Sequence, residues 1–357
     1  MDNKLNYIKP EVRALSPYTL KLHDYQIKIN QNENPFGFPE ALKEEVWRRL
    51  RDRDWARYPD FYLREITQGL ADYAGVPPDW VLAGNGSNEL LQMTLLATLA
   101  RGDSIVVPVP TFSLYRLQGI AMGAAVLEPR LPAPHFTLPV DEIVALIRSH
   151  APKVVVLCSP NNPTGNTHPV ESVRAIIEAS TTGLVLLDEA YVEFTGQNYR
   201  PLLDEYENVA LLRTFSKAWA LAGARVGYII ARPQLIEQVS KVKLPYGLNI
   251  LSETAALVAL EHQNLLFAQV ARIVEQRQWL FEALDSLPGA HPYPSHANFI
   301  LCRFDRSTDA VFDACLEAGI LIRDVSHYPG LHGHLRISVG TPEENAAIVQ
   351  ALSDFLN

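Results

Sequence analysis

The stretch Lys153-Val-Val-Val-Leu-Cys-Ser-Pro-Asn-Asn-Pro-Thr-Gly165, followed by Gly183-Leu-Val-Leu-Leu-Asp-Glu-Ala-Tyr191, decides the fold. Each segment holds a short, unbroken apolar run that ends at polar and turn-forming residues. Between them, residues 170–180 repeat apolar side chains at intervals of three and four. An unbroken apolar run suits a strand buried on both faces, and the spaced pattern suits an amphipathic helix. Strand, helix and strand in succession make the unit of a parallel sheet. Working outward, the same alternation runs from about residue 39 to 231. Strands are expected at 104–107, 153–158, 184–187, 209–212 and 226–230, and helices at 89–99, 141–149 and 170–180.

Past residue 245 the pattern changes. A long helical region is expected over 252–287, ended by Pro288-Gly289, then strands near 298–302, 320–323 and 335–339 with a helix near 309–318. Thr341-Pro-Glu-Glu344 is a capping box with proline at the first helical position, so the last helix should begin there. The expected organisation is a large α/β domain over 30–245, with 1–29 as an N-terminal arm and 246–357 as a smaller α+β domain. Pro10 and Pro17 suggest that the arm is extended.

A chain of 357 residues can support a sizeable core. Its formal charge of −9 disfavours nucleic acid and anionic membranes as partners, because both reward a positive surface. An anionic ligand must then be held by a few placed cations. The opening residues lack the apolar core of a signal peptide, and no later run reaches the length of a membrane span, so a cytoplasmic location is expected. Cys158, Cys302 and Cys315 are too few and too widely spaced for a disulfide framework or a zinc site, and no metal is expected.

A lysine stands in Arg213-Thr-Phe-Ser-Lys-Ala-Trp-Ala-Leu-Ala-Gly-Ala-Arg-Val-Gly-Tyr228, amid small and apolar residues, with Arg225 expected two helical turns further on. An ammonium among apolar neighbours and near a cation loses its proton readily, and only the neutral amine attacks a carbonyl. Lys217 therefore suits a Schiff base, with Ser216 and Arg225 to hold an anionic tail. Pyridoxal phosphate carries both an aldehyde and a phosphate. Taken alone, the window fits an ordinary solvated lysine equally well.

In open α/β sheets, ligands collect beyond the carboxyl ends of the strands. Asp188 stands at such an end, where a carboxylate can pair with a protonated pyridine nitrogen; the alternative is a cap for the next turn. Asn162 and Tyr191 can donate to a phenolate oxygen, or serve the turns in which they lie. Gly86, Ser87 and Asn88, in Ala83-Gly-Asn-Gly-Ser-Asn-Glu-Leu-Leu91, open a helix whose backbone amides attract phosphate, or simply cap it. Phe112 can stack on an aromatic ring or fill the core. Singly, each is ambiguous. Together they are the full set that this one cofactor requires.

The ordered motifs Asn162-Pro-Thr-Gly165, Asp188-Glu-Ala-Tyr191 and Ser216-Lys217 followed by Gly223-x-Arg-x-Gly227 resemble those of the class-I/II aminotransferases, pyridoxal-phosphate enzymes of fold type I. The resemblance runs from about residue 16 to the C-terminus. It implies a mostly parallel seven-stranded sheet between helices, a smaller α+β domain, and pyridoxal 5'-phosphate as cofactor. It assigns the Schiff base and proton shuttle to Lys217, the ring nitrogen to Asp188, and the phenolic oxygen to Asn162 and Tyr191. Ser87, Asn88, Thr214, Ser216 and Arg225 would bind phosphate, and Phe112 would stack on the ring. It also implies a homodimer in which Tyr58 reaches the phosphate of the neighbouring subunit.

Within that family, Asn32-Glu-Asn-Pro-Phe-Gly37, Arg57-Tyr-Pro-Asp60, Ser295-His-Ala-Asn-Phe299, Ile322-Arg-Asp324 and Leu335-Arg-Ile-Ser-Val-Gly-Thr-Pro-Glu-Glu-Asn345 resemble the branch that acts on histidinol phosphate, with glutamate and 2-oxoglutarate as the other pair. This places Tyr18, Asn34, Arg323 and Arg336 at the substrate, with Arg336 also serving the glutamate carboxylate. Paired guanidinium groups are a usual protein answer to a phosphate dianion. Asn88, Phe112 and Gly247 depart from the common residues of that branch. An aromatic amino-acid aminotransferase, a phosphothreonine-type decarboxylase and a cofactor-binding regulatory domain are the competing readings.

Overall fold

Alternation along the central strands explains how the chain builds two cores from one sheet. Val155, Leu157, Val185, Leu187 and Leu211 point to one side, while Val154, Val156, Cys158, Leu184, Leu186, Ala210 and Leu212 point to the other. All are buried, so every second residue packs under a different layer of helices. Each fully buried leucine or valine contributes about 1.5–3 kcal/mol relative to an exposed one. The computed structural model describes residues 5–17 and 22–357.

Counted along the chain, the strands are β1 (Ile27–Lys28), β2 (Val81–Gly84), β3 (Ser104–Val106), β4 (Ala125–Leu127), β5 (Val154–Cys158), β6 (Leu184–Asp188), β7 (Val209–Thr214), β8 (Gly227–Ala231), β9 (Ala290–Pro292), β10 (Phe299–Phe304), β11 (Ile320–Leu321), β12 (Arg323–Asp324) and β13 (His334–Ser338). The seven-stranded sheet has the order β2-β8-β7-β6-β5-β3-β4. β4, β3, β5, β6 and β7 are parallel, whereas β8 runs against both β7 and β2. β12-β13-β10-β9 make a separate four-stranded antiparallel sheet, and β1 pairs in parallel with β11.

Several expectations need correction. The long helical region over 252–287 is two helices, Ile250–Glu261 and Gln263–Asp285, because His262 leaves helical geometry at φ −112°, ψ 28°. The first is buried over most of its surface, and Asn249 caps it by accepting from Ser252 N–H. The strand expected at 320–323 divides, since β11 turns to β1 while β12 joins β13. The arm is not wholly extended, since Pro10–Arg13 forms one helical turn, with Arg101 on Glu11 at 2.6 Å. No helix separates Lys217 from Arg225. That segment is a chain of turns in which Ala220 and Arg225 both take a left-handed backbone, at φ 55° each. The capping box at Thr341 and Glu344 forms as expected. Among the described residues, no helix is long and apolar enough to cross a membrane.

Candidate active site

The carboxyl ends of β5, β6 and β7, the start of helix Ser87–Thr98, the strap Asn30–Glu33, and β12 and β13 enclose a cleft of about 530 Å³. That size suits a cofactor with a small substrate. Among the described residues, Lys217, Arg225, Arg323 and Arg336 line it, against Asp188 and Glu33 as acids. An acidic protein thus concentrates positive charge where an anion would sit.

Lys217 hangs from the turn after β7, and its Nζ donates to the backbone carbonyl of Gln31 at 2.7 Å. Burial first, then the Arg336 charge, push its pKa down to about 7, with Glu33 opposing them. Much of the amine is therefore neutral near neutrality, as nucleophilic attack requires.

Asp188 ends β6, and only 6 % of it is exposed. Tyr115 donates to its Oδ2 at 2.6 Å and the backbone N–H of Ala190 to its Oδ1 at 3.0 Å. Burial pushes its pKa up to about 6 despite those two donors. A buried carboxylate so poorly neutralised is built for a cationic partner, and a protonated pyridine nitrogen is one.

Two further groups face the cleft as donors. Arg336 Nη1 donates to Asn162 Oδ1 at 2.6 Å, which leaves the Asn162 amide N–H₂ on the other side. Asn32 Nδ2 donates to the Tyr191 hydroxyl oxygen at 2.9 Å, which leaves the phenol its own proton to give.

A cradle suited to a phosphate lies where helix Ser87–Thr98 begins. Gly86 precedes it with φ 85°, and a Cβ there would collide with the Arg225 guanidinium. A Cβ on Gly227 would strike the backbone of Gly86 and Ser87, so β8 and the helix start approach more closely than any side chain allows. Arg225 Nη1 donates to Ser216 Oγ at 3.2 Å, and Thr214 Oγ1 to the same oxygen at 2.9 Å. A cluster of hydroxyls, a guanidinium and free helix amides is a dianion site. Phe112 lines the cleft, with its ring edge-on to Tyr115 at 5.6 Å. These features fit pyridoxal 5'-phosphate at both ends, as a cradle for its phosphate and a buried acid for its ring nitrogen.

Arg323 and Arg336, which also line the cleft, are directly paired across β12 and β13. Arg336 Nη2 also donates to Asn30 O at 2.7 Å, and its guanidinium lies 5.2 Å from the Phe299 ring centroid. Asn30 Oδ1 is a buried acceptor without a hydrogen-bond partner among the described residues.

The structure thus gathers Ser87, Asn88, Phe112, Asn162, Asp188, Tyr191, Thr214, Ser216, Lys217, Arg225, Arg323 and Arg336 around one cleft, with Gly86 behind it. Asn34 is not among them. Its amide donates to Ala218 O and Gln269, and its Oδ1 accepts from Phe36 N–H, so it braces the strap. Tyr58 also lies outside this cleft, 80 % exposed and stacked on Tyr246 at 4.3 Å. Tyr18 falls outside the described residues. Reading the sequence did not single out Tyr115, Asn30, Gln31, Asn32 or Ser338 for function. Tyr115 follows the turn that carries Phe112, and that proximity was the available signal.

A seven-stranded α/β sheet with a buried acid, an activated lysine and a phosphate cradle at its carboxyl edge defines a fold-type I pyridoxal-phosphate enzyme. The family model "Aminotransferase class I and II" matches residues 24–352. A histidinol-phosphate aminotransferase from Thermoanaerobacter sp. (strain X514) is 36% identical over 351 residues, covering 98% of this chain and 99% of its own. Histidinol-phosphate aminotransferase 2 of Nitrosococcus oceani is 40% identical over 354 residues, covering 98% of each. Among solved structures, the histidinol-phosphate aminotransferase of Sinorhizobium meliloti in complex with pyridoxal-5'-phosphate has a TM-score of 0.88 at 25% identity, covering 99% of this chain and 98% of its own. The chain belongs to the class I and II aminotransferase family.

Proposed function

We propose that the protein is a histidinol-phosphate aminotransferase of histidine biosynthesis. It interconverts histidinol phosphate and 2-oxoglutarate with imidazole-acetol phosphate and glutamate in two half-reactions. The observation that carries this reading is the Arg323–Arg336 pair lining the same cleft as Lys217, joined to relatives of that activity over nearly the whole chain. A phosphate monoester is a bulky dianion, and two guanidinium groups meet it better than one. Arg336, anchored by Asn162 and Asn30, serves the glutamate carboxylate in the other half-reaction.

Pyridoxal 5'-phosphate supplies an aldehyde that takes up and returns an amino group, and a ring that accepts electrons from the substrate's Cα. The chain's own residues do the rest. Ser87, Asn88, Thr214, Ser216 and Arg225 bind the phosphate with the amides that follow Gly86, and Phe112 packs on the ring face. Asp188 keeps the ring nitrogen protonated, and Asn162 and Tyr191 donate to the phenolic oxygen. Lys217 Nζ, neutral above about pH 7, takes the proton from the substrate's Cα in one half-reaction and returns one there in the other.

Residues 30–245 form the cofactor-binding domain on this reading, and 1–29 with 246–357 form the arm and the smaller domain. The working unit is a homodimer. Tyr58, Phe61, Tyr62 and Tyr246 form an exposed aromatic group that a second copy would cover, bringing Tyr58 to its neighbour's phosphate. Three buried, unpaired cysteines suit a reducing cytoplasm.

Mixing the cofactor-loaded protein separately with histidinol phosphate, phenylalanine and glutamate, and following the visible absorbance, tests the assignment. Histidinol phosphate and glutamate should each change the spectrum at low concentration. A response to phenylalanine in place of histidinol phosphate would make it an aromatic aminotransferase. Release of carbon dioxide without a keto acid would make it a decarboxylase.

A further inference from the structure

The hydrogen bonds behind Tyr191 have a fixed direction, and that direction is set outside the cleft's reacting groups. Asn32 is 1 % exposed and Ser338 2 %. The backbone N–H of Asn32 can only donate, and it does so to Ser338 Oγ at 2.9 Å. Ser338 therefore keeps its own proton to give, and Asn32 Oδ1 accepts it at 2.8 Å. With Oδ1 engaged, Asn32 presents Nδ2 to Tyr191 and meets its hydroxyl oxygen at 2.9 Å. An amide N–H cannot accept, so the phenol oxygen receives this bond and its proton turns toward the cleft. Asn32 is also held in place. Its backbone is left-handed at φ 55°, a conformation asparagine tolerates, and Asn298 Nδ2 donates to its carbonyl at 2.9 Å.

We propose that Ser338 and Asn32 are positioning residues that polarise Tyr191, so that its hydroxyl always donates to the anionic oxygen of the ligand lying beside Lys217. This rests on the reading given under Proposed function, in which that oxygen is the cofactor's phenolic one. Without the Ser338 hydroxyl, the Asn32 amide is free to turn over. Its Oδ1 would then accept the Tyr191 proton and draw it out of the cleft. Asn162 is polarised separately by Arg336, so loss of the Ser338 relay removes one donor and leaves the other. The charged and titratable groups around Tyr191 are Arg336, Cys158 and Asp188, and all stay unchanged in the variants below.

The pH at which the bound cofactor changes colour reports on donors to that oxygen, because each donor favours the state with most negative charge there. Ser338→Ala should move the midpoint upward by about one pH unit, the worth of one buried hydrogen bond. Ser338→Thr keeps the hydroxyl and should leave the midpoint near the native value. In a Tyr191→Phe background, Ser338→Ala should add no shift, since the group it acts through is gone. Coloured, folded Ser338→Ala protein with an unmoved midpoint overturns the relay, as does an equal shift in the Tyr191→Phe background. If circular dichroism shows that Ser338→Ala does not fold, Asn32→Asp carries the same comparison. Its carboxylate would accept from Tyr191, so its shift should be larger in the native background than with Tyr191→Phe, and equal shifts overturn the relay. Native protein that stays colourless with pyridoxal phosphate overturns the functional reading and the relay together, whereas the outcomes above strike the relay alone.

Discussion

Replacing Asp188 by asparagine should make the cofactor-free protein more stable and the loaded enzyme far slower. The carboxyl rises from 3.8 to about 6 on burial. That difference costs the folded state about 3 kcal/mol once the group is ionised. Because the folded pKa lies above the unfolded one, the cost is small below about pH 4, grows between about pH 4 and 6, and is complete above. Asparagine has no charge to bury, but it must turn its N–H₂ toward either Tyr115 or the Ala190 amide, losing a hydrogen bond worth about 1 kcal/mol. The net gain should be about 2 kcal/mol at pH 8 and near zero at about pH 4.5. Urea unfolding of both proteins at the two pH values measures it. Turnover should fall at least about a hundredfold, equivalent to about 3 kcal/mol of lost pairing with the ring nitrogen. A variant that turns over within about threefold of native, with no pH-dependent gain in stability, would refute the claim that this acid is held at a cost for a cationic partner.

Lys217 has its pKa lowered to about 7, so the rate at which cofactor-free protein gains colour with pyridoxal phosphate should rise with pH through about 7 and level off above; stopped-flow absorbance follows it. Lys217→Ala should bind the cofactor non-covalently and show no transamination, with borohydride fixing nothing to the chain. Gly86→Ala should raise the dissociation constant for pyridoxal phosphate more than about tenfold, since its Cβ collides with Arg225 and its φ of 85° disfavours a side chain; equilibrium dialysis measures this. Arg323→Gln should raise KM for histidinol phosphate about ten- to a hundredfold while sparing the glutamate half-reaction, as steady-state kinetics with each substrate would show.

The parts of this molecule that could be read in advance are those in which one residue carries both a local pattern and a function. Apolar runs such as 154–158 and 184–187 reveal strands, and the residue just beyond each run, Asp188 above all, reveals the cleft. Arg225 was legible as a residue of the cleft although its route there was not, because a left-handed non-glycine residue leaves no mark in composition. The two-residue strands β11 and β12 escaped separation because they pair with different partners, β11 with the distant β1 and β12 with β13, and a short apolar run shows neither choice. The side-chain bonds of Asn34 to Ala218, Gln269 and Phe36 could not be foreseen from its motif, since two of these partners lie some 184 and 235 positions away. Ser338 and Asn32 were invisible for a related reason. Their meaning lies in a bond between residues 306 positions apart.

One strand carries two duties. Arg336 and Ser338 stand two apart on β13, so their side chains leave the same face, and a slip of one position would send both into the hydrophobic layer and bring Leu335 and Ile337 out. Mutations that retune substrate preference therefore cannot act through the length or register of β13 without also disturbing the cofactor's electronics. Divergence toward new substrates should instead accumulate in the loop after β12, where Val325 and Tyr328 line the cleft from outside the paired strands.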